Sequence, residues 1–98
     1  MSLPLVFQAG VREEIDDAHT WYERQRSGLG EEFLEEVETV LDRIRLNPEL
    51  HPPTYRNVRH ARVKRFSYVV HYRLEPGRIL VIAVHHGRGD PKRWQSRA

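Results

Sequence analysis

The first half of the chain repeats apolar residues at intervals of three and four, the spacing that places them on one side of a helix. The first stripe consists of Val11, Ile15, Ala18 and Tyr22. The second consists of Phe33, Leu34, Val37, Val40, Leu41 and Ile44. Gly28 and Gly30 interrupt the pattern between the stripes, and Asn47 followed by Pro48 ends the second one. The pattern predicts two helices joined by a short glycine turn, which form an antiparallel hairpin.

The second half changes to an alternation of period two, which is typical of strands. Strands are predicted over residues 58–63, 65–74 and 79–86, with a tight turn at Pro76 and Gly77. One face of the middle strand would carry Phe66, Tyr68, Val70, Tyr72 and Leu74. The last strand is apolar on both faces, as expected of a central strand, and residues 3–7 form a further short strand. The sequence therefore predicts one α+β domain over residues 1–98, ordered β-α-α-β-β-β, with the helical hairpin packed on a mainly antiparallel twisted sheet.

Charge is divided unevenly between these two halves. Residues 1–47 carry five basic and eleven acidic side chains, a net of −6, whereas residues 48–98 carry eleven basic and three acidic, a net of +8. The basic half is the half predicted to form most of the sheet. A sheet rich in arginine suits an anionic partner, such as phosphate, an acidic peptide or an acidic patch on another protein.

Composition excludes several classes of protein. The chain has no cysteine, which removes disulfide scaffolds and thiolate chemistry. Its longest apolar run, residues 79–84, is far too short to cross a bilayer, and the N-terminus has neither the basic segment nor the cleavage site of a secretory signal. We therefore expect a cytoplasmic protein that does not associate with membranes.

Four basic side chains are candidates for catalysis. Strand pairing could bring together His60, Arg62, His71 and Arg88. Such a cluster could hold a phosphodiester and stabilise charge during its cleavage, with a histidine moving the proton. The alternative is a basic, solvated sheet edge that only resists aggregation.

The adjacent pair His85 and His86 suggests a metal site only superficially. Neighbouring residues of a strand point to opposite faces, and no acidic or cysteine ligand has a recognisable spacing. We expect one of these histidines to pack in the core and the other to hydrogen-bond a nearby loop. The sequence therefore predicts no metal site and no cofactor.

The motifs together resemble a known family. They are Trp21-Tyr22-Glu23, Gly28-Leu29-Gly30, the stripe from Phe33 to Ile44, Pro48, the segment VKRFSYVVHY at 63–72, VHHGR at 84–88, Asp90-Pro91 and Trp94. The chain resembles the toxins of type II toxin–antitoxin systems in the RelE/ParE superfamily, and in particular the ParE-like (plasmid stabilisation) branch.

The resemblance implies a hetero-oligomer with a cognate antitoxin, expected to be a ParD-like ribbon-helix-helix protein whose C-terminal segment lies between the helices and the sheet. The residues expected to bind the antitoxin are Trp21, Phe33, Val37, Tyr68 and Val70. Those expected to bind the cellular target are Arg62, Arg65, Arg88, Arg93 and Trp94.

The superfamily also implies one of two activities. RelE-like members cut mRNA on the ribosome with a basic cluster and an aromatic residue, whereas ParE-like members are described as DNA gyrase poisons that lack that cluster. Val69 stands where the RNA-cutting branch carries its catalytic arginine, and the indole of Trp94 cannot transfer a proton. Gly89 replaces an arginine frequent in the ParE-like branch. The sequence therefore favours a gyrase-binding toxin without catalysis; the alternatives are a ribosome-dependent endoribonuclease with a rearranged cluster and an attenuated member with neither activity.

Overall fold

The computed structural model describes residues 3–98. Its elements are β1 Leu5–Phe7, α1 Val11–Gln25, α2 Leu29–Leu46, β2 Val58–Val63, β3 Tyr68–Glu75, β4 Arg78–His86 and a short helix, α3 Lys92–Gln95. The strands form one sheet in the order β1-β4-β3-β2, in which β1 runs parallel to β4 and the other neighbours are antiparallel. The predicted α+β fold and its element order are confirmed, whereas α3 was not predicted.

The turn between α1 and α2 depends on a carboxylate and two glycines. Glu23 accepts hydrogen bonds from the backbone N–H groups of Gly28 and Gly30, each at 2.9 Å, and these bonds lower the pKa of its carboxyl group. Gly28 has a φ of 89°, and a Cβ on Gly30 would lie 2.7 Å from the carbonyl oxygen of His19. Only glycine allows both the turn and the close approach of the helices. No helix among residues 3–98 is long and apolar enough to cross a membrane.

An aromatic group joins the hairpin to the sheet. The hydroxyl of Tyr22 donates to the carbonyl oxygen of Phe66 at 2.9 Å, and the ring of Phe66 lies 5.4 Å from that of Phe33. The prediction that β3 begins at residue 65 was wrong, because Arg65 and Ser67 adopt φ angles of 74° and 54° and residues 64–67 form a turn. Phe66 nevertheless reaches the core from this turn.

β4 is buried on both faces, as the sequence predicted. A β-bulge interrupts its pairing with β3, because His71 pairs with Ala83 while Tyr72 pairs with Val81. Ile82 is the extra residue, and it shares with Ala83 a second apolar cluster, separate from the core formed with the helices. α3 and the following residues pack on this second cluster through Trp94 and Ala98.

The second edge of β4 becomes free where β1 ends. β1 pairs with β4 only as far as Val81. Beyond it, Glu14 of α1 accepts a hydrogen bond from the N–H of Val84 at 3.0 Å, and Arg97 donates to the carbonyl oxygen of Ile82 at 3.0 Å. Glu14 and Arg97 also pair with each other at 2.7 Å. Two side chains thus replace the strand that is missing at this edge.

Candidate functional site

An open groove lies between α1 and the C-terminal half of β4, with a volume of about 470 Å³. Ala18 and Tyr22 of α1 and Val84 of β4 supply its apolar lining. Asp17 and Arg93 add one acidic and one basic group. The groove therefore combines apolar contact area with charges of both signs, which suits a peptide segment.

The residues predicted to bind an antitoxin fall into two sets. Trp21 and Tyr68 line the groove, and the side chain of Trp21 is 57% exposed. Phe33, Val37 and Val70 are only 0–3% exposed. These three lie in the core between the helices and the sheet and offer no surface to a partner.

A carboxylate network borders the groove at Glu14. Its oxygens accept from Arg97, from the N–H of Val84 and from Nε2 of His85, which lies 2.5 Å away. Burial alone would raise the pKa of Glu14, but these hydrogen bonds outweigh it and lower the pKa, so the group is ionised at neutral pH. Sequence reasoning missed this network, because Glu14 is at least 70 positions from each of its partners and no motif joins them.

The face of the sheet that points away from the helical hairpin carries a pair of histidines. His60 and His71 face each other across β2 and β3 with their Nδ1 atoms 2.7 Å apart. The indole of Trp94 stacks on His71, with centroids 4.9 Å apart and planes inclined by 15°. A cavity of about 200 Å³, bordered by His71, His85 and the loop that carries Arg88, lies beside them.

The environment of His71 keeps its imidazole uncharged. Burial, followed by the nearby His60 and His85, lowers the pKa of His71 to about 3 although Glu14 opposes this. Burial also lowers the pKa of His60. Both rings are therefore mainly unprotonated at neutral pH, so neither supplies the protonated imidazole that a general acid needs, and the low pKa of His71 also makes its ring a weak base. The structure brings the predicted catalytic residues His60 and His71 together as a neutral pair, and Arg88 borders the same cavity as His71, whereas Arg62 does not line it.

The remaining predicted basic residues are dispersed. Arg65 pairs with Glu32 of α2 at 2.9 Å, and Arg93 lies at the groove. Arg62 is exposed on β2 opposite Val69, and Val69 in turn borders the cavity beside the exposed Arg88. These arginines form a basic rim, not a cluster directed at one point.

These features define a small α+β protein with a helical hairpin on a mixed four-stranded sheet, an open groove beside the first helix and a basic rim. Residues 5–91 match the family model described as ParE toxin of type II toxin–antitoxin system, parDE. The chain belongs to this ParE toxin family, as the resemblance read from its motifs predicted.

Comparison with solved structures gives the same fold. A chain from the chromosomal ParDE toxin–antitoxin system of P. aeruginosa superposes with a TM-score of 0.65 and 13% sequence identity. The match covers 87% of this chain and 96% of that one. A search of curated proteins gave no match.

Proposed function

We propose that this ParE-family toxin acts by binding DNA gyrase and does not itself cut RNA. The observation that carries the proposal is the chemistry around Val69. By the resemblance to the RNA-cutting branch, Val69 stands where that branch carries its catalytic arginine, so the fixed cation is absent. Val69 borders a cavity that it shares with His71, and His71 is buried and neutral. A basic rim without an acid–base pair is suited to binding.

The proposal includes neutralisation by a ParD-like ribbon-helix-helix antitoxin whose C-terminal segment occupies the groove beside α1. The exposed indole of Trp21 and the half-buried ring of Tyr68 offer the large aromatic contacts that dominate binding interfaces. Aliphatic anchors of the antitoxin would pack between these rings, and an acidic side chain would approach Arg93. Target binding and neutralisation would then use adjoining surfaces, since Arg93 belongs to the basic rim and also lines the groove.

Two assays run side by side test the proposed target. Purified toxin should inhibit DNA supercoiling by gyrase and should leave ribosome-bound mRNA intact. The double substitution Arg62→Ala and Arg88→Ala should weaken the inhibition at least about tenfold, since two exposed cations at the rim are lost. Arg78→Ala removes an exposed arginine from the far end of β4 and serves as the matched control. Cleavage of mRNA in the ribosomal A site without gyrase inhibition would contradict the proposal.

The antitoxin is tested separately. Trp21→Ala should lower its affinity by about 1–3 kcal/mol, as expected for an aromatic anchor, while gyrase inhibition stays unchanged. Gln25→Ala, one turn further along α1, is the control. Equal affinity of the two variants would place the antitoxin elsewhere.

The RNA-cutting alternative rests on the proximity of His60 and His71. It predicts that Arg62→Ala or Arg88→Ala abolishes RNA cleavage while antitoxin binding survives. The attenuated alternative predicts normal growth when the toxin is produced in bacteria without antitoxin, and growth arrest would exclude it.

A further inference from the structure

Two buried histidines on neighbouring strands border the same cavity of about 200 Å³. His71 of β3 is 6% exposed and His85 of β4 is 4% exposed. Their ring centroids lie 6.1 Å apart, and the ring planes are inclined by 64°. Each ring has one nitrogen engaged in a side-chain hydrogen bond. In an uncharged ring, this bond determines whether the other nitrogen carries the proton or a lone pair.

The bond to Glu14 fixes the tautomer of His85. Glu14 is ionised and can only accept, so Nε2 of His85 carries the proton and donates it. When the ring is uncharged, its Nδ1 carries a lone pair. This atom is buried and has no hydrogen-bond partner among residues 3–98. A buried nitrogen of this kind is costly unless something occupies the space in front of it.

A series of hydrogen bonds through Thr54 and His60 fixes the tautomer of His71. The hydroxyl of Thr54 donates to the carbonyl oxygen of Val58 at 2.7 Å, so its oxygen accepts from Nε2 of His60 at 2.6 Å. Nδ1 of His60 is therefore an acceptor, and Nδ1 of His71 donates to it. The remaining nitrogen of His71, Nε2, carries a lone pair. Trp94 covers the face of this ring and leaves its edge free.

We infer that His71 and His85 form a binding site for a transition-metal ion of the Zn²⁺ type, with Nε2 of His71 and Nδ1 of His85 as its two protein ligands. An ion bound about 2.0–2.1 Å from a ring nitrogen lies roughly 3.2 Å from the ring centroid, so two rings can share it at centroid separations up to about 6.4 Å. The observed 6.1 Å lies within this limit.

The surroundings have the features that support metal-binding histidines. Glu14 holds the second nitrogen of His85, and His60 holds that of His71, as outer-shell partners do in zinc sites. The depressed pKa of His71 keeps its ligand nitrogen unprotonated at neutral pH. Imidazole selects Zn²⁺, Cu²⁺ or Ni²⁺ over Mg²⁺ and Ca²⁺. No group of three His, Asp or Glu side chains in the described part of the chain could hold an ion, so water would complete the coordination.

This site was not apparent from the sequence, because the motif there is His85-His86. The structure confirms that these two diverge, since His85 is buried and the exposed His86 accepts a hydrogen bond from the N–H of Arg88 at 3.1 Å. The second ligand comes from the neighbouring strand instead.

Nitrogen-detected NMR of the unaltered protein tests the inference directly. On titration of the full chain with ZnCl₂, Nδ1 of His85 and Nε2 of His71 should lose the resonance positions of free lone pairs, and the signals should return on addition of EDTA. An equal excess of MgCl₂ should change neither. Zinc-dependent shifts confined to the other histidines would overturn the inference, as would no shift at all.

Calorimetry of variants gives an independent measurement. His85→Gln and His71→Gln should each weaken zinc binding at least about tenfold, and Glu14→Gln should weaken it about 10–100-fold through the outer shell. His86→Gln alters the adjacent, exposed position and should bind like the parent. One equivalent bound equally well by every variant would contradict the assignment. The outcome is separate from that of the gyrase assays, because no rim arginine is altered.

Discussion

The two faces of the sheet differ in the number and the kind of residues that they bury. Among residues 3–98, sixteen buried residues form the core between the sheet and the helical hairpin, whereas four form the cluster on the opposite face. The larger core is aliphatic and aromatic. The smaller cluster is completed by the histidine pair, by Trp94 and by the last residue, Ala98.

The helix-facing core therefore accounts for most of the stability, whereas the opposite face holds the groups that respond to pH and ligands. The helix-facing core is made by residues whose burial does not depend on pH or ligands. The opposite face holds neutral imidazoles under a four-residue helix, which is too short to be stable by itself. We therefore expect damage to the first face to be global, and changes on the second to be smaller, dependent on solution conditions and local.

The largest effect is expected from the centre of the helix-facing core. Phe33 is fully buried between Tyr22, Phe66 and Tyr68. Phe33→Ala should lower the free energy of unfolding by about 3–5 kcal/mol through lost burial and a cavity. Urea denaturation followed by circular dichroism measures the change. Thr39→Ala, at an exposed position of the same helix, should stay within about 0.5 kcal/mol of the parent; equal effects would mean that the core is not organised around this ring.

On the second face, stability should depend on pH through His71. Its pKa is about 3 in the folded protein, against 6.5 for the free side chain. Between these pH values the unfolded chain binds more protons than the folded one. The contribution of the uncharged His71 to the free energy of unfolding is therefore fully present above pH 6.5 and is lost as the pH falls towards 3. The groups facing this ring are His60 of β2, His85 of β4 and Glu14 of α1.

One proton corresponds to a slope of up to about 1.4 kcal/mol per pH unit inside this window. Urea denaturation at several pH values should therefore show a steeper fall for the parent than for His71→Gln, which cannot take up that proton. His86→Gln should follow the parent. Parallel curves for the parent and His71→Gln would show that the ring is protonated as readily in the folded state as in the unfolded one.

The helix-facing core could be predicted from the sequence because the pattern that specifies it lies within single segments of the chain. The stripes that begin at Val11 and Phe33 repeat with the helical period, and Gly28 and Gly30 mark the turn. The double-sided burial of β4 follows from its unbroken apolar run. Each of these inferences needs only the periodicity of one segment.

The second face could not be predicted because it depends on pairing between distant segments. Alternation along β3 places His71 opposite Tyr72 and therefore on the outer face, where solvent is the ordinary expectation. The tail that covers it forms α3, a helix of only four residues. The turn before β3 was also missed, since Arg65 and Ser67 occupy a left-handed conformation without the glycine or asparagine that would signal it.

A smaller global effect is expected from the network that joins the two faces. Glu14 is 13% exposed and receives three hydrogen bonds. Glu14→Gln keeps its size but turns one acceptor into a donor that faces Arg97 and His85, so the free energy of unfolding should fall by about 2 kcal/mol. Glu13→Gln, its exposed neighbour, is the control. Indistinguishable urea curves would show that water replaces the carboxylate at the edge of β4.

The smallest and most local effect is expected at Trp94. Its ring stacks on His71, lies 4.8 Å from His60 and packs on the second apolar cluster, but it is only partly buried. Trp94→Ala should therefore lower the free energy of unfolding by only about 1–2 kcal/mol.

The location of that loss distinguishes the two faces most sharply. Amide hydrogen exchange at Arg97 and Ala98, whose N–H groups bond back to α3, should accelerate strongly in Trp94→Ala, while the amides of α2 should keep nearly their parental protection. Arg93→Ala, which removes an exposed side chain from the same short helix, should change neither. Acceleration in α2 as large as in the tail would show that the C-terminal segment belongs to the cooperative core, and the division between the faces would then be wrong.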